Sequence, residues 1–175
     1  MMVSIIGIAV LAFIAFGFYK ASGLQSIQIV KSVTVKSSKQ EAFDMVRYLY
    51  NFPKWSPFLA QDPTQKIEIK GKDGEEGAQY LWIGNEGKDV GFQEIVKVDT
   101  LNAIAMKCDI QKPFMAKPTF DYTFKETANG IEITQDFKLQ SDFVTAFFMM
   151  VLGVKNKMET TNKQGLGLLK KAIEK

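Results

Sequence analysis

At 175 residues, with 46% hydrophobic and 23% charged residues, the chain has room and composition for one packed domain plus an appendage, which excludes a disordered protein. The net charge of +3 is mild, and all but one of the 22 basic residues are lysine, so the planar arginine grips of a nucleic-acid reader are absent apart from Arg47. A single cysteine excludes an internal disulfide, and the absence of histidine removes the commonest general base and the commonest zinc ligand.

The appendage comes first. Residues 2–19, MVSIIGIAVLAFIAFGFY, are eighteen residues without a charge. At ~1.5 Å per residue they are just long enough to cross a ~30 Å hydrocarbon core. A cleaved signal peptide is the rival reading, but no Lys or Arg precedes the apolar run. The expectation is an N-terminal transmembrane anchor over residues 1–20, a hinge over 21–26 and a folded domain over 27–175. Lys20, Lys31, Lys36 and Lys39 follow the apolar run before any acidic residue, so the positive-inside rule leaves the domain in the cytoplasm of a single-pass cell-membrane protein.

Within the domain, Ile27, Ile29, Val33 and Val35 alternate as in a strand. The period then changes: Ala42 or Phe43, Val46, Leu49 and Tyr50 recur at helical spacing, Ser38 and Glu41 form a capping box, and Pro53 is expected to end the helix. NFPKWSPFLAQDP (51–63) follows, with too many aromatics and prolines for a solvent loop, and reads as a rigid plug against an apolar surface. From residue 64 onward six alternating segments separated by turns predict an antiparallel meander. A long helix closes the chain from Ser141 or Asp142, with Val144, Phe148, Val151, Met158, Leu166, Leu169 and Ile173 near one stripe.

Strand, helix, six strands and a long helix are the order of the α+β helix-grip fold, a curved antiparallel sheet wrapped around a long C-terminal helix. Four stretches resemble the bacterial polyketide cyclase/dehydrase-like branch of the START and birch-pollen-allergen (SRPBCC) superfamily. NFPKWSPFLAQDP is similar to a W-x-x-W-S-P-W motif followed by Asp-Pro, with Phe52 and Phe58 at the outer aromatic positions and Trp55-Ser56-Pro57 at the centre. GAQYLWIGNEGKDVGFQEIVKV is similar to a G-x-x-Y-x-W-x-G-N stretch, through Gly77, Tyr80, Trp82, Gly84 and Asn85. IQKPFMAKPTFDYTFKETANGIEITQDF is the third stretch. KQGLGLLKKAIEK resembles a K-G-L-x-x-L-K ending, with Gln164 in place of a basic residue. The resemblance implies the fold; its members span transport, cyclisation, demethylation and co-chaperoning.

A sheet curved around a helix leaves a cavity whose mouth must be closed. Trp55 and Phe58 either close it or seal the edge of the core. The wall residues expected from strand parity are Tyr80 and Trp82, Phe92 and Val96, Met106 and Cys108, and Phe120 and Tyr122, joined by Phe148 and Val151 from the long helix. Lys31, Glu94 and Gln135 share parity with apolar neighbours. Glu94 is the candidate acid–base if the protein is an enzyme; the alternative is a bulge or sheet rim that lets its carboxylate reach water. Cys108 reads as a buried hydrophobe, and no metal site or phosphate loop is expected. FVTAFFMMVLGV (143–154), apolar nearly all round, touches a bilayer, a ligand portal or a second subunit, or thickens the core. The functional expectation is a membrane-anchored binding protein for a hydrophobic small molecule of lipid or isoprenoid type, without cofactor and without nucleic acid. A cyclase/dehydrase-like enzyme and a co-chaperone-like interaction module are the alternatives.

Overall fold

The computed structural model describes residues 17, 19 and 22–175. Strand β1 (Ser26–Val35) turns Ile27, Ile29 and Val35 into the core and leaves Gln28, Val30 and Ser32 outside. Helix α1 (Lys39–Arg47) opens on the expected capping box. The Ser38 hydroxyl accepts from the Glu41 N–H at 3.2 Å, and the Glu41 carboxylate accepts from the Ser38 N–H at 3.0 Å. The helix ends at Arg47, before Pro53. The Asp73 carboxylate accepts from the N–H groups of Leu49 (2.7 Å) and Tyr50 (3.2 Å), and the chain re-enters as a 3-10 turn, Leu49–Lys54, that contains Pro53. A short helix α2 (Pro57–Gln61) follows, with proline in its first turn and the Ser56 hydroxyl as its cap.

Six further strands follow: β2 (Lys66–Lys70), β3 (Gln79–Gly84), β4 (Asp89–Asp99), β5 (Ala103–Lys112), β6 (Thr119–Thr127) and β7 (Gly130–Gln140). They pair antiparallel in sequence, and β1 adds to the free edge of β7, giving the order β1-β7-β6-β5-β4-β3-β2. The seven-stranded antiparallel sheet with C-terminal helix on one face matches the helix-grip arrangement expected from element order.

Two further expectations fail within the fold. The first is parity in β4. Phe92, Glu94 and Val96 face outward, while Gly91, Gln93 and Ile95 face the inner side. The pairing is decisive: Tyr80 stands opposite Gln93 and Trp82 opposite Gly91, whereas Phe92 pairs with Leu81 on the outer face. A glycine is required at 91, because a Cβ there would come within 2.5 Å of the Trp82 ring. A register shift between Ile95 and Lys97 then leaves Val96 unpaired and exposed. The second failure is the single long helix. The segment is two helices, α3 (Phe143–Val151) and α4 (Val154–Ile173), broken at Gly153, which takes a left-handed φ of +62°. The turn changes which residues face inward. Ala146 and Met149 are buried in α3, and Leu166 and Leu169 in α4, while Val144, Phe148 and Val151 of the expected stripe are exposed.

The core lies in two groups. The larger packs Phe43, Val46, Leu49, Trp55, Tyr122, Ile133, Leu166 and Leu169 beneath α1 and the second half of α4. The smaller joins Ile27, Ile29, Phe137 and Leu139 to Ala146 and Met149 of α3. Leu24, in the expected hinge, packs against the smaller group, and the Leu24 and Gln25 carbonyls accept from Ser141 (3.3 and 2.9 Å).

The single-pass membrane assignment is corrected. Among the described residues no helix is long and apolar enough to cross a membrane, and the span expected at residues 2–19 lies outside the described residues apart from 17 and 19.

Candidate functional site

Between the two core groups the sheet and the C-terminal helices separate, leaving a cavity of about 500 Å³. That is within the usual size of small-molecule sites, roughly 300–1,000 Å³. Its sheet wall is made by Tyr80, Trp82, Gln93, Cys108, Ile110, Phe120, Phe137 and Leu139. Its helix wall is made by Val154, Met158, Thr161 and Asn162 of α4, with Phe52 from the 3-10 turn. Exposed residues complete the rim: Phe58, Pro113, Phe114, Leu152 and Lys157. The Gly153 break positions this rim, because it turns Leu152 and Val154 toward the loop that carries Phe114.

Of the residues expected on the wall, Tyr80, Trp82, Phe120 and Cys108 line the cavity, and Phe58 borders it. Met106 and Tyr122 face inward but lie in packed core, where Met106 accepts from the Gln93 amide and the Tyr122 hydroxyl accepts from Gln135 at 2.7 Å. Phe92 is on the opposite face of the sheet. Phe148 is 58% exposed and lines a second recess of about 610 Å³, formed by the 114–117 loop, the end of β7 and α3. Val151 is 63% exposed and borders neither.

The plug divides its tasks. Trp55 is only 3% exposed, donates its indole N–H to the Met45 carbonyl at 3.2 Å, and stands edge-on to Tyr122. It seals the core. Phe52, whose ring is edge-on to both Trp55 and Tyr80, is the link that reaches the cavity. Gln93, Phe137 and Asn162 are wall residues that sequence reasoning missed. Gln93 required the correct β4 parity. Phe137 alternates with Ile133 and Leu139, a pattern that does not separate a cavity wall from packed core. Asn162 sits in KNKMETTNKQ, where the surrounding polarity conceals one inward position.

The electrostatics of the wall are those of an apolar site. Burial pushes the Tyr80 hydroxyl up to about 12, and burial with the nearby Asp109 and Asp89 carboxylates pushes the Cys108 thiol up to about 12. Both are protonated at neutral pH, and the thiol is no nucleophile. Asp89 accepts from the Trp82 indole N–H (3.0 Å) and faces the Gln65 amide (3.4 Å). Two polar atoms of wall residues, the Tyr80 hydroxyl and the Asn162 amide nitrogen, are buried without a hydrogen-bond partner among the described residues. Such groups cost roughly 1–3 kcal/mol each. Glu94, on the outer face, pairs with Lys107 at 2.7 Å and accepts from Gln79 at 2.7 Å, and these contacts hold its carboxyl below the usual range. It is therefore withdrawn as the acid–base candidate for chemistry inside the cavity. Among the described residues no group of three or more Cys, Asp or Glu side chains could hold a metal ion.

No family model and no curated protein matches the sequence. Solved structures do match in fold. A protein of unknown function, SA2116 from Staphylococcus aureus, superposes with a TM-score of 0.64 at 16% identity over 85% of this chain and 94% of that one. The di-domain ARO/CYC StfQ from the steffimycin biosynthetic pathway gives 0.62 at 14% identity, over 85% of this chain and 51% of its own length. Ara h 8.0201 gives 0.54 at 16% identity, over 82% of this chain and 97% of that one. At such identities the likeness is one of fold, and the fold is the helix grip.

Proposed function

We propose that this protein binds a hydrophobic small molecule, of lipid or isoprenoid type, in the cavity between the sheet and the C-terminal helices. The observation that carries the reading is the cavity itself: about 500 Å³ walled mainly by aromatic and aliphatic side chains, with few polar groups. Filling it removes apolar surface from water at both partners, which is a favourable exchange. Met158 on the helix wall adds a side chain that adapts to ligand shape.

A cyclase-type reading draws on the likeness to StfQ and on the Tyr80 hydroxyl and the Asp89 carboxylate, a proton donor and a proton acceptor among the wall residues. It predicts conversion of a poly-β-ketone to a cyclised product, which a carrier would only bind. The primary test is fluorescence titration with the neutral dye phenylnaphthylamine, together with native mass spectrometry of the freshly purified protein. Saturable one-to-one binding, or a co-purified apolar molecule, is expected. Absence of both would sink the binding reading.

A further inference from the structure

We propose that the outer face of α3 and the neighbouring 113–117 loop dock on the surface of an anionic lipid bilayer; resting on the binding reading, this contact is where the apolar ligand enters and leaves. Helix α3, FVTAFFMMV, carries no charge and one polar side chain, Thr145. Ala146 and Met149 hold its inner face in the core. Val144, Phe147, Phe148 and Val151 recur at i, i+3, i+4 and i+7 on the opposite side, and all four are exposed. A surface helix ordinarily turns polar residues outward; this one turns out a second apolar face. Leu152 extends it and is 62% exposed, and across the second recess stand Phe114 and Met115, 56% and 85% exposed. Phe148, Leu152, Phe114 and Met115 line that one recess, so these side chains form a patch and not scattered single residues.

The charge around the patch indicates its partner. Neither 110–118 nor 143–158 contains an acidic residue, whereas they hold Lys112, Lys117, Lys155 and Lys157, all exposed. Lys117 faces Asp109 at 3.4 Å. The other three make no ion pair among the described residues, and Lys112 reaches only the Gly87 carbonyl, at 3.2 Å. Asp142 is the single acidic residue on the recess wall, and its carboxylate accepts from the Thr145 N–H and hydroxyl at 3.0 and 2.7 Å. Apolar side chains flanked by unpaired lysines match a bilayer interface, where the former enter the acyl boundary and the latter meet anionic headgroups. A second copy of this chain would bring the same lysines and no acidic patch to meet them. The contact needs no spanning helix, only a face that lies in the interface.

The patch is continuous with the cavity mouth. Phe114 and Leu152 border both the cavity and the recess, and Lys157 lies on the cavity rim. Docking through this face sets the mouth against the lipid. An apolar ligand then passes between bilayer and cavity without exposing its surface to water.

The test uses the full chain with vesicles of phosphatidylglycerol or phosphatidylcholine. Affinity for the anionic vesicle is expected to exceed that for the zwitterionic one by about tenfold or more, and to fall with salt. The docked face is read with an environment-sensitive fluorophore on Val151→Cys in a Cys108→Ala background. The control carries it on Ala128→Cys, in the turn at the other end of β7, roughly 30 Å away. On anionic vesicles the label at 151 should be shielded from aqueous iodide and quenched by brominated acyl chains, while the label at 128 stays accessible. Phe148→Ser combined with Val151→Ser should weaken vesicle binding by about tenfold or more and leave phenylnaphthylamine affinity in solution unchanged. Vesicle binding that leaves the label at 151 open to iodide overturns the inference, as does equal affinity for the two vesicles. Shielding of that label without lipid overturns it too: the face then belongs to a second copy if light scattering finds a dimer, and to another part of this chain if it finds a monomer. Dye binding without docking overturns this inference alone; docking without dye binding keeps the contact and sinks the binding reading.

Discussion

Phe120 and Tyr122 stand two residues apart on the same face of β6, yet they belong to different regions. Tyr122 lies in solid core, against Trp55 and hydrogen-bonded to Gln135. Phe120 stacks edge-on with Phe137 and lines the cavity. Their strand and alternation are shared, so the difference comes from what lies above them. Over Tyr122 the sheet is covered by α1, the 3-10 turn and the buried leucines of α4. Over Phe120 the cover is the break between α3 and α4, where the helix axis is interrupted at Gly153. One half of the sheet is thereby closed for stability, and the other is left open enough to hold a ligand.

The largest effect that would break this comparison is at Trp55. Trp55→Ala should lower the unfolding free energy by about 3–5 kcal/mol, the range for a large aromatic removed from a core, as read by urea denaturation. Phe148→Ala, on an exposed side chain, should change it by less than about 1 kcal/mol. Similar losses at both positions would mean that the two regions are packed alike.

Filling the open half is the next test. Cys108→Phe should reduce phenylnaphthylamine affinity by at least about tenfold and cost roughly 1–3 kcal/mol of stability, less than Trp55→Ala. Unchanged dye affinity would take the dye out of this cavity. The same residue sharpens the comparison through pH. Burial disfavours the thiolate and pushes the folded thiol up to about 12, above its usual value of ~8.5. Its contribution to stability is therefore complete below about pH 8.5 and falls as pH rises toward the folded value. Cys108→Ala should remove that share of the alkaline loss, measured as thermal midpoint against pH.

At the hinge between the regions, Gly153→Ala introduces a Cβ into a left-handed conformation with no crowding neighbour, so its cost is that of the backbone alone. A loss of about 1–2 kcal/mol is expected from equilibrium unfolding. Stabilisation would mean that the residue re-enters a right-handed helix and that the break is not held in place.

The smallest effect is on the outer face. Glu94→Gln should change stability by less than about 1 kcal/mol, since the Lys107 partner is half exposed, and dye binding should be unaffected. The folded carboxyl is held below its usual value, so its contribution is present above the ordinary carboxylate range and is lost as pH falls through the folded value. The variant should flatten that part of the acid limb. Loss of dye binding in Glu94→Gln would contradict the outward orientation of this side chain.

Much of the fold was legible because its signals are local. The Ser38–Glu41 box and the alternation of β1, β6 and β7 act over a few residues, and each appears where the residues imply it. The β4 parity was not legible, because Phe92, Glu94 and Val96 alternate as convincingly as Gly91, Gln93 and Ile95. Only the cross-strand demand of Trp82 for a glycine opposite it selects the second set. The helix break was hidden for a related reason: a glycine within a continuous apolar run, FVTAFFMMVLGV, is tolerated in a helix until packing gives the chain a reason to turn.

For the site, residue type determined by itself that an aromatic and aliphatic inner face would exist, that histidine chemistry would not, and that Tyr80, Trp82 and Phe120 would share that face. Which inward residues lie in solid core and which border open space was decided by tertiary structure. Burial against a helix and burial against a cavity remove the same side chain from water, so both select the same residue types and leave the same pattern in the chain. The distinction between Trp55 and Phe52, or between Tyr122 and Phe120, arises from the distance between two layers, which is set by the Gly153 turn and the bulk of the side chains that meet across it.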